Sequence, residues 1–157
     1  MINQSELKEA LDYNPSSGVF TAKTSGGGRI AGSVAGGKST DGYTSISVNG
    51  IRYRAARLAW LWMTGEHPSG DVDHIDGNRR NDAWNNLRAA TRRQNMANTK
   101  AKSGLKGACW VPSKAKWKAQ IRIGGKNKHI GYFETAELAN DAYREAAIEA
   151  HGEFARW

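Results

Sequence analysis

Val72-Asp73-His74-Ile75-Asp76-Gly77-Asn78, followed by Trp84-Asn85-Asn86-Leu87-Arg88 and Thr91-Arg92-Arg93-Gln94-Asn95, is the stretch that decides the reading of this chain. Val72 to Ile75 has the character of a short strand, in which adjacent side chains point to opposite faces. Asp76-Gly77-Asn78 is a turn, with Asp76 and Asn78 as turn formers. A loop leads to a second strand at Asn86-Leu87-Arg88. Thr91 with Gln94 three residues later makes a capping-box pattern. A helix is therefore expected from there, with Asn95 in its first turn or just after. The order strand, loop, strand, helix puts Asp73 and His74 on the first strand and Asn95 on a helix packed against it.

These residue types suit hydrolysis of a phosphodiester. Such a reaction needs an activated water, an in-line approach and neutralisation of charge at the leaving oxygen. A histidine takes a proton near neutral pH. A hard divalent ion neutralises the developing charge and prefers oxygen ligands of the kind Asp and Asn supply. The three segments together resemble the HNH, or ββα-metal, nuclease motif, in the phage and intron homing-endonuclease branch whose last motif position is Asn. By position, that resemblance implies His74 as general base and Asp73 with Asn95 as holders of one divalent ion, Mg²⁺ or Mn²⁺. It implies that Asn86 bonds to loop backbone and fixes the histidine, and that Arg93 stands beside the site within reach of phosphate. Upstream, Tyr53-Arg54-Ala55-Ala56-Arg57-Leu58-Ala59-Trp60 resembles the stretch preceding the motif in phage relatives. Those relatives often have His before the Arg-Leu pair, where this chain has Ala56.

Bulk properties narrow the field. The chain has 157 residues and a formal charge of +8, a balance common in proteins that bind nucleic acid. There is one cysteine, Cys109, so neither an internal disulfide nor a cysteine zinc site is expected. No apolar run approaches the ~18 residues of a membrane span. Met1-Ile2-Asn3-Gln4-Ser5-Glu6 lacks a basic stretch followed by an apolar one, so no signal peptide is expected. The expected location is the cytoplasm, that of a bacterial host cell if the gene is phage-encoded.

Before the motif, residues 1–12 suggest a short helix with Leu7 and Leu11 on one face. Asn14-Pro15-Ser16-Ser17-Gly18 is a turn cluster, and Val19-Phe20-Thr21 begins a strand. The glycine-rich stretch 25–37 lacks the Gly-Lys-Ser/Thr spacing of a phosphate loop and reads as a connection between strands. Asn49-Gly50 between Tyr43–Val48 and Ile51–Arg54 predicts a two-residue hairpin, because both turn positions need positive φ. Arg57 to Met63 predicts a helix stopped at Gly65, with Leu58, Leu61 and Trp62 as its apolar stripe and Trp60 also in the core. His67 reads as a surface-loop residue.

After residues 98–106, small and basic and expected to be a linker, the pattern changes. In Lys116-Trp117-Lys118-Ala119-Gln120-Ile121-Arg122-Ile123 the apolar residues strictly alternate with polar ones, which predicts a half-buried strand. Gly107–Val111 and Lys128–Phe133 read as its neighbours in a three-stranded antiparallel sheet. Thr135 caps a following helix, with Ala139, Ala142, Tyr143, Ala146 and Ala150 on one face and Gly152 as its end. Residues 106–133 hold seven Lys and Arg and no acid, whereas 134–157 hold six acids against Arg144 and Arg156. That split fits a helix covering the apolar face of the sheet and leaving the basic face open. Gly107, Trp117-x-Ala119-x-Ile121, Ile130-Gly131-Tyr132-Phe133 and Ala139-x-x-Ala142-Tyr143 resemble the AP2/ERF DNA-binding domain. This resemblance implies a sheet lying in the major groove of double-stranded DNA, with Lys118, Gln120, Arg122 and His129 facing it beside Lys116 and Lys128. Trp110 and Trp117 read as core, and Cys109 suits either face.

The expected fold class is α+β: a ββα-metal HNH unit with an N-terminal hairpin region in residues 1–97 (motif core 70–97), the linker 98–106, and an AP2/ERF-like sheet on one helix in 107–157. The expected function is metal-dependent hydrolysis of DNA, by nicking or by double-strand cleavage, as a monomer or a dimer. The alternative is a sequence-specific DNA-binding protein with an inactive HNH fold.

Overall fold

Asn49 and Gly50 have φ of +52° and +77°, so the hairpin they close is the primed turn that their side chains favour. It joins β4 (Thr44–Val48) to β5 (Ile51–Arg54), and Ile46 pairs with Tyr53 across it. Alternation along β4 buries Ile46 and Val48 and leaves Ser47 outward. This is a computed structural model, and it describes residues 1–26, 28–99 and 104–156. It divides into two units, Met1–Arg92 and Arg93–Trp157.

The first unit opens with α1 (Gln4–Ala10), held by a reciprocal capping box. Asn3 Oδ1 accepts from Glu6 N and Glu6 Oε2 accepts from Asn3 N, at 2.9 and 3.0 Å. The helix is shorter than the expected 1–12. Leu11 instead opens β1 (Leu11–Asn14) and pairs with Ala22 of β2 (Val19–Ala22). Leu7 and Leu11 are fully buried all the same, because the strand also aims Leu11 inward. Between β1 and β2, Asn14 Oδ1 accepts from the backbone N–H of Ser16 and Ser17, the local bonding that makes Asn a turn former.

The glycine-rich connection holds β3 (Gly37–Lys38), which pairs with β4; Gly27 lies outside the described residues. Then α2 (Ala55–Thr64) buries Ala55, Ala56, Leu58, Ala59 and Leu61 and stops at Gly65, φ +83°. The core combines α1, α2 and the two hairpins: Leu7, Leu11, Phe20, Ile46, Val48, Leu58 and Leu61. Tyr13 stacks on Phe20 at 4.5 Å, and partly buried Trp62 meets both edge-on. Trp60 is only half-buried and packs on Trp84 at 5.3 Å. His67 is half-buried too, rather than a plain surface residue, with Nε2 2.7 Å from Ile2 O.

Two short strands then pair antiparallel, β6 (Asp71–His74) and β7 (Leu87–Ala90). Asn86 is not on the second strand but ends a single 3₁₀ turn, Trp84–Asn86, just before it. The helix expected after Thr91 is α3 (Arg92–Ala97). It begins on the last residue of the first unit and runs into the second.

In the second unit β8 (Ala108–Val111), β9 (Lys116–Ile123) and β10 (Lys126–Phe133) form an antiparallel sheet with β9 in the centre. The helix α4 (Ala136–His151), capped by Thr135, packs on it. Ala139, Asn140, Tyr143 and Ala147 are its buried residues, whereas Ala150, expected on that face, is exposed. By helical geometry position 150 falls on the same face as 139, 143 and 147, but it stands in the last turn of the helix, where residues 148–150 are all exposed. Gly107 has φ +78°, and a Cβ there would lie 2.1 Å from the Tyr143 ring, so glycine is what lets helix and sheet close. Of the segment expected as a linker, residues 100–103 lie outside the described residues. Its last residue is anchored: Lys106 Nζ donates to the carbonyls of Ala97, Thr99 and Arg156. Among the described residues no helix is long and apolar enough to cross a membrane.

Candidate active site

Asp73 and His74 close β6, and the register sets their surroundings: Asp73 faces Arg88 and His74 faces Leu87. Both are buried, at 3% and 4% exposure. A buried carboxylate is costly unless paired, and Arg88 Nε donates to Asp73 Oδ2 at 2.9 Å.

His74 Nε2 lies 3.0 Å from Oδ1 of Asp82, itself 3% exposed. Asp82 escaped the reading of the sequence. The available signal was that it is the one acid between Gly77 and Ala90, in the loop that returns to the histidine. Tyr13 donates its hydroxyl to the Asp82 carbonyl at 2.7 Å. Burial, helped by the Asp82 charge, pushes the Tyr13 phenol well up, so it stays a donor.

Asn86 stitches the two sides of the loop. Its Oδ1 accepts from Asp76 N at 3.0 Å, and its Nδ2 donates to Asp76 Oδ1 and to Asn81 O at 3.0 and 2.8 Å. Ile75 N also donates to Asn86 O. Asp76 further accepts from Asn78 N and Asn81 Nδ2. Partial burial alone raises the Asp76 carboxyl, but bonds from Asn81, Asn78 and Asn86, with His74 nearby, together hold it below the usual carboxylate range. Asp76 and Asn78 thus build the turn.

An aromatic ring carrying two cations lies next to the histidine. The Tyr43 ring lies 5.9 Å from that of His74, and the guanidinium groups of Arg54 and Arg79 sit 4.1 and 4.9 Å from the same Tyr43 ring. Asp41 pairs with Arg54 at 2.8 Å, and its carbonyl accepts from Arg79. None of these four was read as a site residue from the sequence, because Asp41 and Arg54, 13 residues apart, meet only through their side chains.

Arg93 and Asn95 lie on α3, in the second unit. Two positions apart on a helix, they point some 200° from one another, so Arg93 does not share the face of Asn95. Arg92, three before Asn95, does, and pairs with Asp71 at 3.5 Å. Among the described residues no three His, Cys, Asp or Glu gather as a metal cluster. A Mg²⁺-type site needs less, since such ions take one or two protein oxygens and fill the rest with water and phosphate. The donor chemistry of Asp73 and Asn95 fits that pattern.

On the open face of β9, Gln120 lies opposite His129 and Arg122 opposite Asn127; past a bulge at Ile130, Lys118 lies opposite Tyr132. Cys109 of β8 shares this face opposite Lys118. Lys128 does not join them. It lies opposite Ile121, whose side chain is buried against the helix side, because the two-residue Gly124-Gly125 turn fixes the parity of β10. Lys116 has the right parity but pairs with Glu134 at 2.9 Å. Trp110 and Trp117 pack together at 5.5 Å, with Trp110 44% exposed, so it is less of a core residue than expected.

A strand-borne Asp-His pair, an asparagine-braced loop and a following helix are the parts of a ββα nuclease, and comparison with known proteins agrees. The family model described as HNH endonuclease matches residues 53–97. Protein 3.8 of Escherichia phage T7 is 36% identical over 113 residues, covering 67% of this chain and 93% of that protein. An uncharacterized HNH endonuclease, L560, of Acanthamoeba polyphaga mimivirus is 39% identical over 96 residues, 60% of this chain; the match spans about half of that protein, 51%. A solved structure described as DNA binding and cleavage by the HNH homing endonuclease I-HmuI aligns with TM-score 0.44 at 20% identity, over 90% of this chain and 84% of that one. The chain belongs to the HNH endonuclease family and is a nuclease.

Proposed function

We propose that this protein is a metal-dependent endonuclease of double-stranded DNA, acting in the cytoplasm of a bacterial host. His74 is the general base, Asp73 and Asn95 hold one Mg²⁺ or Mn²⁺, and the second unit binds DNA through the open face of its sheet. The observation that carries the reading is the buried Asp73-His74 pair on β6, each side chain already fixed by a partner. A base held this rigidly needs little reorganisation to act.

His74 takes the proton of a water as that water's oxygen attacks phosphorus, and the bond from phosphorus to the leaving oxygen breaks. The leaving oxygen then takes a proton from solvent. A divalent ion, when bound, supplies charge neutralisation for the phosphate and the leaving oxygen. Arg54 and Arg79 offer further positive charge on the Tyr43 ring that neighbours His74, and such guanidinium groups suit phosphate oxygens. Asn86 keeps the loop after His74 closed. Arg93 contacts phosphate.

For the second unit, the resemblance to AP2/ERF domains and the clear alternation along β9 support a DNA-reading sheet. Lys118, Gln120, Arg122 and His129 present cations, an amide and an imidazole from one face.

The test is cleavage of supercoiled plasmid by purified protein with Mg²⁺ or Mn²⁺. Wild type nicks or linearises the plasmid, and His74→Ala binds DNA but does not cut. Full cleavage by that variant would reject His74 as base. Tight site-specific binding by wild type with no metal-dependent cutting would leave a DNA-binding protein with an inactive HNH fold.

A further inference from the structure

We infer that Asp82 is a positioning residue for His74, and that residues 13–18, the end of β1 and the turn after it, are the part of the fold that holds Asp82 in place. The inference rests on the reading of His74 as general base.

A carboxylate only accepts hydrogen bonds. With Asp82 Oδ1 at 3.0 Å, the ring must carry its proton on Nε2. In the neutral ring the lone pair is then on Nδ1, which makes Nδ1 the atom that receives the proton of the water. As the ring becomes cationic, a carboxylate in contact, shielded from solvent, stabilises the charge that develops. Asp82 therefore acts on tautomer, orientation and charge together.

An acid at 3% exposure on a loop requires that the loop itself be fixed. Three contacts do this, all from residues 13–18, outside the 53–97 segment of the family match. Tyr13 donates to the Asp82 carbonyl at 2.7 Å, and Trp84 N donates to the Pro15 carbonyl at 2.8 Å. Gly18, φ +74°, presses directly on the peptide between Asp82 and Ala83; a Cβ there would lie 2.3 Å from Asp82 C and from Ala83 N. Any side chain at position 18 must push that peptide away, and the Asp82 carboxylate moves with it. An ordinary turn makes no such demand on its glycine, so the close approach marks the turn as a support for this loop.

The experiment uses the full chain, plasmid DNA and saturating Mg²⁺ or Mn²⁺. Single-turnover cleavage and, separately, metal-free DNA affinity are measured for wild type, Asp82→Ala, Asp82→Asn, Gly18→Ala and His74→Ala. Asp82→Ala is expected to slow cleavage by about 10²-fold, the cost of a catalytic group misplaced by roughly an ångström, with DNA affinity within about twofold. Asp82→Asn keeps an acceptor oxygen and recovers part of the rate. Gly18→Ala slows cleavage in the same way, and adding it to Asp82→Ala brings little further loss, since both act on one contact. Independently of activity, ¹⁵N spectra of the histidine side chains, with His74 assigned by its loss in a folded His74→Ala, show the Nε2–H tautomer in wild type.

A wild-type His74 carrying its proton on Nδ1 overturns the inference, as does a folded Asp82→Ala that cuts at the wild-type rate. If His74→Ala is inactive while Asp82→Ala is not impaired, only the role of Asp82 falls. If His74→Ala itself cuts normally, the reading beneath it has failed.

Discussion

Asp76 shows how one residue can serve the loop without serving the chemistry. Its carboxylate is fully engaged by Asn78, Asn81 and Asn86, and these bonds outweigh burial to depress its pKa. The folded state therefore holds this proton less readily than the unfolded chain, whose value is about 3.9. It follows that Asp76 contributes stability that is fully present above the unfolded value and is lost as pH falls through the depressed folded one. In Asp76→Asn that part of the acid limb should disappear: the variant melts lower than wild type near pH 7, and the gap narrows steadily below about pH 4. Thermal melts across that range decide it, and a gap independent of pH would remove the carboxylate from the account. Ala56 makes the converse case. It is buried in the core of the first unit, so the position where relatives often have His is here a packing site.

At the scale of elements, the legible parts were those whose cause is local. Asn49-Gly50 specifies its turn within two residues, and the strict alternation of 116–123 specifies β9 with the bounds observed. Partners distant in sequence were not legible. Tyr13 and Asp82 are 69 residues apart, and neither carries a pattern that names the other. The seven cations of 106–133 likewise looked equivalent until burial and register separated Lys106, Lys116 and Lys128 from the rest. Two glycines turn this contrast into numbers. At Gly50 a Cβ meets nothing within 4 Å, so Gly50→Ala costs only the left-handed backbone, about 1–2 kcal/mol. At Gly107 the same backbone cost is joined by a Cβ 2.1 Å from the Tyr143 ring, and Gly107→Ala should cost about 3 kcal/mol or more. Urea unfolding with amide exchange read separately in each unit measures both; equal losses would show that the approach of Gly107 to Tyr143 matters little.

For the molecule as a whole, the net charge of +8 overstates what DNA can meet. In the second unit Lys106 is tied to three carbonyls, and burial, with Arg156 nearby, lowers its pKa. Lys116 is engaged by Glu134, and Lys128 projects from the face opposite Lys118. Lys126 shares the parity of Lys128, so Lys118 and Arg122 of β9, with Lys114 over the Tyr132 ring, are left to carry the backbone contacts of the proposed DNA face, beside Gln120, Asn127 and His129. Counterion release makes that count measurable. Each phosphate contact contributes about 0.9 to the slope of log affinity against log salt. Changing Lys118 and Arg122 together to Ala should therefore flatten the slope by about 1.8, whereas Lys128→Ala should leave it nearly unchanged although the lost charge is formally the same. Duplex binding by the full chain, followed by anisotropy from about 50 to 200 mM salt, separates a face that binds from a charge that merely attracts. If Lys128→Ala flattened the slope as much as Lys118→Ala does, the register of β10 would have no bearing on DNA and binding would be a matter of net charge alone.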